Sequence, residues 1–552
     1  MSNTRQNRVD SRALFSLNIT RADNPKPKKL NLRRKGEDSM RTAPVNRVAI
    51  LLINWLLPPP VLYLRLRLRI TTKVFLIISL IFFTTVPVIW VTHLPLIDYP
   101  NHLARLQIHE TLLSHSYLAR FYEFRWMLTP YLGLDLVAAP FTPFLPVELA
   151  GRIVVIFTFL VIYGGTILLD RELNSNNWGL SIFTGIFLYN GAFNWGFINY
   201  IISGGFAIWA FWMWVRYREK IIGVSIAVFT LIGGIVCMMH FYAFAIYGVC
   251  VAGYECSVFW EKIRIERQLW MSLFGIPFAA AVSLMIPLLV LLSLVSSNHG
   301  PIVWGQSWGS PTLWDSVVKW KIEALVSPIY FHHFLEKPLL LAMFAILAWA
   351  LATRTLVVNS RMVIPLAAFG VIFLVMPSEL LGASFADYRL PSGVVFFVWA
   401  SLGWGETSRA RIDVACLLLF LCLIVRVSSV ILTWQPAQST IEEYDTALQL
   451  VPPGARLFCM MDSSAWGYPP LVHVPVLAAA KHDVFEPYTF TDHGAGLQLL
   501  EKRDPVPTSI QDFDYLLEIG KPQVKIPAGI SLKEVRRGQT FTLYKIQNDT
   551  SK

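Results

Sequence analysis

The chain has 552 residues, of which 55% are hydrophobic and 15% are charged, and its mean hydropathy is +0.51. Soluble domains carry about 25% charged residues, so this composition excludes a soluble multidomain protein. The net charge of +11 is not a sign of nucleic-acid binding, because residues 1–73 hold 16 of the 47 Lys and Arg but only 4 of the 36 Asp and Glu. Positive charge ahead of the first long apolar segment is typical of a cytoplasmic tail. We expect residues 1–73 to be such a tail and largely disordered.

Long apolar blocks predict a mainly α-helical bundle that crosses the membrane about 11 times. With this number of spans, the basic residues of the short loops fall on the same side as the N-terminal tail, as the positive-inside rule requires. Residues 131–146 would reverse that pattern as a full span, so we expect them to be re-entrant or interfacial. The predicted spans within the transmembrane domain, residues 74–432, are 74–92, 151–169, 178–193, 197–215, 221–238, 241–259, 271–295, 338–353, 363–378, 391–405 and 414–432.

The first outer loop, residues 93–150, carries the most distinctive polar pattern. Asp98 suits a helix N-cap, and Asp98, His102, Arg105 and His109 share one face of the helix that follows. The opposite face is apolar, which predicts an amphipathic helix lying on the outer membrane surface. Asp98 could simply cap that helix, with the others solvated. The position directly after a span favours a functional role.

This layout resembles the GT-C superfamily of membrane glycosyltransferases. An acidic residue in a long first outer loop, about a dozen spans and a soluble C-terminal domain carry the resemblance. It implies hexosyl or pentosyl transfer from a polyprenyl-phosphate-linked sugar, with Asp98 as catalytic base or as a ligand of a divalent metal (Mg or Mn). The chain has Asp98-Tyr-Pro-Asn-His102 where the family carries an acidic pair.

Further polar residues fall at the predicted outer face. Glu379, Asp387 and Arg389 are candidate substrate-binding residues in a short loop between two spans, where a charge is costly unless it is paired or functional. Arg389 is suited to a lipid phosphate, because guanidinium binds phosphate bidentately; alternatively, it forms a surface pair with Asp387 or Glu379. His240 could bind phosphate or be a packing residue, and Asn199 could bind sugar hydroxyls or form a turn. With Arg389, we expect His102, Arg105 or His240 to neutralise a departing phosphate. Four segments also resemble those of uncharacterised bacterial membrane proteins: Trp195–Tyr200, His240–Phe244, Ala386–Pro391 and His473–Ala480.

The composition changes after residue 432, and residues 433–552 read as a small extracytoplasmic α/β domain. Strands are predicted at 456–461, 513–517 and 541–545, and a helix at 440–451. The domain either binds the acceptor or acts as a lid without chemistry of its own. Its candidate acceptor-binding residues are Asp462, Trp466, His473, His482, Asp492 and His493.

The sequence thus favours a multi-pass protein of a bacterial inner membrane, with a cytoplasmic N-terminus and a periplasmic or extracellular C-terminal domain. Its expected partners are the lipid bilayer, a polyprenyl-phosphate sugar donor, and a glycan, lipid or protein acceptor, with no nucleic acid. One alternative is a transporter or lipid flippase, although the chain shows no internal repeat. The other is a non-enzymatic polysaccharide-assembly protein.

Overall fold

The computed structural model separates the chain into two compact units, residues 1–73 and 74–552. The N-terminal tail predicted from the sequence lies, up to residue 69, outside the described residues. All that follows concerns the second unit, together with residues 70–73 at the start of its first helix. The residues that the structure describes are 70–112, 117–126, 130–219, 222–265, 270–294, 317–331, 333–380, 384–491, 497–499, 509–522, 527 and 529–548.

Helices dominate the described residues, which confirms the mainly α-helical polytopic fold predicted from the apolar blocks. In chain order they are α1 (Ile70–Trp90), α2 (Tyr99–Thr111), α3 (Gly133–Ala138), α4 (Val147–Asn174), α5 (Gly191–Asn194), α6 (Ile198–Tyr217), α7 (Ile222–Met239), α8 (Phe241–Ile265), α9 (Trp270–Leu294), α10 (Lys319–Val326), α11 (Glu336–Ala352), α12 (Val363–Val375), α13 (Ala386–Ala400), α14 (Arg409–Leu448) and α15 (Leu477–His482).

Several of these helices have the length and composition to cross a membrane. Three described apolar segments are shorter: Val74–Trp90, Val224–Met239 and Ser360–Val375. A bilayer core of about 30 Å needs about 20 helical residues, so the shorter segments are close to this limit. Five helices, among the residues described, are long and apolar enough: Val147–Asn174, Ile198–Tyr217, Phe241–Ile263, Gly275–Ser293 and Arg409–Leu448.

Residues 178–193 differ from the straight span predicted for them. They form a 3₁₀ helix, Leu180–Phe187, followed by the single turn of α5. Eight residues of 3₁₀ helix rise about 16 Å, well short of a bilayer. Nearly every side chain of this segment is buried in the protein. Irregular backbone at membrane depth is tolerated under that condition, and apolar composition alone does not distinguish it from a lipid-facing helix.

The region 131–146 is not a spanning helix, as expected. Its helix α3 has six residues and is followed by turns. The amide of Leu132 bonds to the carbonyl of Met238 at the end of α7, at 3.1 Å. This short helix therefore packs beside the end of a long one.

The C-terminal part contains the small α/β region predicted from the sequence. Its main sheet has four strands, and the parallel pair Leu457–Met461 and Tyr515–Ile519 lies at one edge, with antiparallel neighbours beyond it. The three predicted strands correspond to these two and to Phe541–Asn548. In chain order the strands of the structure are β1 (Tyr122–Phe124), β2 (Leu356–Val358), β3 (Leu402–Trp404), β4 (Leu457–Met461), β5 (Leu497–Leu499), β6 (Tyr515–Ile519), β7 (Ile530–Arg537) and β8 (Phe541–Asn548).

The helix predicted at 440–451 is the end of α14, which runs without a break from Arg409 to Leu448. Forty helical residues extend about 60 Å, twice the bilayer core. The change of composition after residue 432 therefore falls inside one continuous helix. Its buried Arg426 bonds to Glu336 at 2.6 Å and to the carbonyl of Ile329 at 2.8 Å. A buried, paired arginine thus joins α14 to the start of α11.

Candidate functional site

A tight turn between α5 and α6, residues Asn194–Phe197, supports the candidate site. The carbonyls of Asn194 and Trp195 accept hydrogen bonds from the amides of Ile97 and Asp98 at 3.1 and 3.0 Å. Gly196 has φ +83°, a left-handed conformation that glycine adopts without strain. A Cβ at this position would lie 2.6 Å from the Asp98 amide nitrogen. The turn therefore fixes the start of the first outer loop against the bundle.

Helix α2 begins directly after Asp98, but it does not lie open on a membrane surface as the sequence suggested. Most of its residues are buried, and it packs between α15 and α4. The physical reason is that the C-terminal region supplies a second apolar partner, so both faces of the helix are covered. Asp98 occupies the N-cap position, yet its side chain makes no capping hydrogen bond. Helix capping therefore does not account for its carboxyl group.

The Asp98 carboxyl lies in a confined environment with a cation nearby. Its side chain is 18% exposed. Burial raises its pKa to about 7, and the Arg389 guanidinium, acting through space, opposes that rise. A carboxyl group in this range is protonated and ionised in comparable amounts near neutral pH. That is the condition under which a group can take up and release a proton efficiently.

His102 lies one turn along α2 from Asp98. Its Nε2 lies 3.1 Å from the carbonyl oxygen of Gly196, so this nitrogen carries the proton and donates it. Burial, together with the nearby Arg105, lowers the pKa of His102 to about 4. The ring is therefore neutral at pH 7 and is suited to supporting the turn beside Asp98.

Arg105 is not available to a substrate phosphate, in contrast to its proposed role. Its Nε and Nη2 donate to the two carboxylate oxygens of Asp135 at 3.0 and 2.9 Å. Both side chains are buried, and Asp135 belongs to α3. The bidentate pair neutralises the guanidinium and joins α2 to the short helix. The sequence pattern placed Arg105 on the right helix but could not show that a partner from the same loop would bind it.

Arg389, on the first turn of α13, is held by aromatic rings. Its guanidinium carbon lies 3.9 Å from the centroid of the Phe197 ring and 5.8 Å from that of Tyr242. Its Nε is buried without a hydrogen-bond partner among the described residues. The backbone carbonyl of Arg389 accepts from the hydroxyl of Tyr200 at 2.7 Å. The stacked guanidinium thus keeps donor capacity for an anion.

His240 lies beside this guanidinium, at the junction between α7 and α8. Its Nδ1 accepts from the amide of Tyr242 at 3.2 Å, and its Nε2 is 3.4 Å from Nη1 of Arg389. A neutral ring whose Nδ1 accepts must carry its proton on Nε2. Two donors therefore face each other, and an acceptor oxygen between them would satisfy both.

Asp387 does not pair with Arg389, which was one alternative from the sequence. The Asp387 side chain is fully buried, accepts from Trp320 Nε1 at 3.0 Å, and lies 2.9 Å from Lys321 Nζ. It fastens α10 to α13 and is removed from solvent. Glu379 is half-buried in the loop before α13, and the next carbonyl, of Leu380, accepts from Tyr242 at 2.9 Å. The contact with Tyr242 is thus made by the backbone of the residue next to Glu379.

Asn199 has a structural contact in place of an open sugar-binding position. Its side-chain oxygen accepts from the amide of Leu134, at the start of α3. Asn199 follows the Asn194–Phe197 turn directly, so it attaches α3 to the same part of the bundle. The side chain therefore joins α3 to α6, which differs from the turn formation weighed for Asn199.

His473 reaches Asp98 from the region after the last predicted span. Its Nε2 lies 3.5 Å from Asp98 Oδ1. Its ring packs edge-on against Phe490, which also contacts the ring of His102. The sequence identified His473 only as a candidate for acceptor binding. Asp492 and His493, named with it, lie outside the described residues.

The four segments that resemble those of uncharacterised bacterial membrane proteins therefore converge around Asp98. They supply the turn glycine, the imidazole beside the guanidinium, the guanidinium itself and the imidazole beside the carboxyl group. An apolar groove adjoins the Arg389 end of this site between α6, α8, α12 and α13. It is lined by Tyr200, Tyr242, Ala245, Ile246, Val249, Phe369, Ile372, Met376, Ala386, Arg389 and Leu390.

The residues around Asp98 do not fit the divalent metal considered from the sequence. Among the described residues, no group of three or more His, Cys, Asp or Glu side chains could hold a metal ion. The charged neighbour of Asp98 is the Arg389 cation, which would repel a second cation. We therefore derive no step through a metal.

No protein-family model and no curated protein matches this sequence. Among solved structures, the chain is similar to the crystal structure of ArnT from Cupriavidus metallidurans in the apo state. The two are 12% identical, the match covers 86% of this chain and 98% of that chain, and the TM-score is 0.49. At this level of similarity the match supplies no argument, and the proposals below rest on the residues of this chain.

Proposed function

We propose that the chain is an inverting membrane glycosyltransferase that moves a sugar from a polyprenyl-phosphate donor to an acceptor hydroxyl on the extracytoplasmic face. The observation that carries this proposal is one juxtaposition. A confined carboxyl group, Asp98, lies near a guanidinium, Arg389, that has donor capacity to spare and lies at the end of an apolar groove. A base, a phosphate site and a lipid site are the three parts that such a transfer needs.

Asp98 is the proposed general base. The pKa of about 7 leaves a substantial ionised fraction at neutral pH while keeping the carboxylate basic enough to take a hydroxyl proton. As the proton of the acceptor O–H moves to Asp98, the acceptor oxygen forms a bond to the anomeric carbon. The bond from that carbon to the phosphate oxygen breaks on the opposite side. The electron pair leaves with the polyprenyl phosphate, and the configuration inverts.

Arg389 and His240 are proposed to hold the phosphate. The Nη1 of Arg389 and the Nε2–H of His240 are donors 3.4 Å apart, and a phosphate oxygen could accept from both. The rings of Phe197 and Tyr242 limit the movement of the guanidinium. Charge that develops on the leaving phosphate would then meet donors already in place.

The groove beside Arg389 is proposed to hold the first isoprene units of the donor. Its lining is almost wholly apolar apart from the guanidinium and two tyrosines. Residues farther along α12, Val371, Leu374 and Val375, are exposed and apolar, which suits contact with lipid. A lipid chain could therefore extend from the groove towards the bilayer with its phosphate remaining at Arg389.

The test uses full-length protein in nanodiscs, a panel of decaprenyl-phosphate-linked hexoses and pentoses, and total envelope glycolipid as acceptor. Release of decaprenyl phosphate is measured. We expect release by the wild type and its loss, by about 100-fold or more, in Asp98→Asn. The control Asp413→Asn, at an exposed position near the start of α14, should retain wild-type release. Full release by Asp98→Asn would contradict the proposal.

Donor binding is tested separately with decaprenyl phosphate alone. Arg389→Ala should weaken its binding by about 10- to 100-fold, because a charge-assisted contact is lost. Arg361→Ala removes an arginine that pairs with Glu261 at 3.0 Å and should leave binding unchanged. Equal affinities in the wild type and Arg389→Ala would remove the phosphate site from the proposal.

A further inference from the structure

His473 approaches the Asp98 carboxyl from a part of the chain that the transmembrane bundle does not include. The distance from His473 Nε2 to Asp98 Oδ1 is 3.5 Å, which is longer than a formed hydrogen bond but short enough for a small movement to form one. Such contacts are often long before substrate binds and shorten in the reacting complex. The His473 side chain is 15% exposed, and its ring is held edge-on between Phe490 and Trp466.

The protonation state of His473 can be deduced from its surroundings. Burial lowers the pKa of His473 to about 4, so the ring is neutral at pH 7. A neutral imidazole has one N–H group. Its Nδ1 is buried without a hydrogen-bond partner among the described residues, so a proton there would be an unsatisfied donor. The tautomer with the proton on Nε2 directs its donor at the carboxylate of Asp98.

We infer that His473 is a positioning residue for Asp98: its Nε2–H donates to Oδ1 and leaves Oδ2 to take the proton of the acceptor hydroxyl. The role of this contact in catalysis rests on the proposed function, whereas the proximity of the two side chains does not depend on it. The region after the last span then completes the reacting site and is more than a lid. Asp98, held by one fixed donor, presents its second oxygen in a constant direction.

Among the described residues, two other titratable or charged side chains lie around Asp98. Arg389 approaches from α13, and His102 lies on the same helix as Asp98, with its Nε2 bonded to the Gly196 carbonyl. Phe490 and Trp466, which pack on His473, do not titrate. His473 is therefore the donor whose removal should change the titration of Asp98 without removing a charge.

Two substitutions separate the donor from the ring. His473→Phe keeps an aromatic ring and removes the donor, whereas His473→Gln keeps an N–H group close to the position of Nε2. The matched control is His482→Phe, because His482 Nε2 lies 3.5 Å from a different carboxylate, Asp445, and is similarly buried, with 17% of its side chain exposed. The purified full-length protein is titrated in nanodiscs. The infrared carboxyl band that disappears in Asp98→Asn is assigned to Asp98, and its loss with rising pH gives the titration midpoint of Asp98.

We expect the midpoint of Asp98 to rise by about 1 pH unit in His473→Phe, because a hydrogen bond to the charged form is lost. It should stay close to the wild-type value in His473→Gln and in His482→Phe. In the release assay, the pH at which release is half-maximal on the acid side of the pH–rate profile should rise by the same amount in His473→Phe. Release at pH 6 should therefore fall about 10-fold. If His473 served only in packing, its substitution would not shift this half-maximal pH.

Two outcomes would overturn the inference: an unchanged midpoint in His473→Phe, or equal shifts in His473→Phe and His473→Gln. Failure of the proposed function has a different signature. In that case Asp98→Asn would retain release of decaprenyl phosphate, while the infrared titration would still report on the contact between His473 and Asp98. The two results are therefore independent.

Discussion

Gly196 lies so close to Asp98 that a β-carbon on the glycine would be 3.0 Å from the Cα of the aspartate. The carbonyl of the preceding Trp195 also accepts a hydrogen bond from the Asp98 amide. The position of the proposed base therefore depends on the absence of a side chain in a neighbouring turn.

Gly196→Ala should displace Asp98 and strain the turn, because φ +83° is unfavourable for alanine. We expect release of decaprenyl phosphate to fall by about 10- to 100-fold, since displacement of a reacting group by about 1 Å can cost this much. Gly204→Ala is the control, because a Cβ there meets no atom within 4 Å. Equal activity of the two variants would argue against a role for the turn in placing Asp98.

Asp98→Asn should increase stability at alkaline pH while it abolishes transfer. The folded pKa of Asp98, about 7, is above the ordinary value of 3.8 for an aspartic acid, so the folded protein holds the proton more tightly than the unfolded chain. The resulting stability is fully present below pH about 4 and is lost as the pH rises through 7. At pH 8 the wild type therefore keeps an unfavourable buried carboxylate, and asparagine removes it. We expect a gain of about 1–3 kcal/mol in unfolding free energy.

This gain should disappear near pH 4, where the wild-type carboxyl is protonated in the folded state. Thermal unfolding of both proteins in the same detergent across this pH range measures the difference. A difference that is constant with pH would contradict the raised pKa.

The pair between Arg105 and Asp135 should be structural and not catalytic. Arg105→Leu leaves a carboxylate buried without its partner, and such single changes cost about 3–5 kcal/mol. The double variant Arg105→Leu/Asp135→Leu should recover much of that loss, because no uncompensated charge remains. Unfolding midpoints and the release assay, performed on the folded fraction, should separate the two roles. A stable Arg105→Leu protein with no release would instead support a direct catalytic role.

Phe197→Leu should let the guanidinium of Arg389 move more freely without removing its charge. The ring lies 3.9 Å below the guanidinium carbon, and a contact of this kind contributes about 0.5–2 kcal/mol. We expect the affinity for decaprenyl phosphate to fall by about 3- to 30-fold. Phe144→Leu, at a strongly exposed position, should bind like the wild type. An unchanged affinity in Phe197→Leu would show that the ring does not hold Arg389.

The sequence was informative where one short segment contains the signal. The long apolar blocks predicted the helical bundle, and short apolar runs predicted three strands of the C-terminal sheet. Asp98 attracted attention because a carboxyl group followed a span directly. Its catalytic role, like those of His102, Arg389 and His240, stays a prediction for the experiments above.

The sequence was uninformative where the partner lies far along the chain. Arg105 and Asp135 are 30 residues apart in an irregular loop, and no local pattern pairs them. Residues 178–193 have the composition of a span, but they are enclosed by other helices and need not be α-helical. His473 could be named only as a polar residue, since its proximity to Asp98 depends on how α15 packs on α2.

The contact between His473 and Asp98 also has a consequence for biosynthesis. The two residues are 375 positions apart, and chains emerge from the ribosome from the N-terminus onwards. Asp98 is therefore synthesised well before His473 exists. Until the region that carries His473 has packed onto α2, Asp98 lacks this neighbour. On the proposed function, the unfinished protein lacks the residue that orients its base, so efficient transfer would begin only once the last part of the chain has folded.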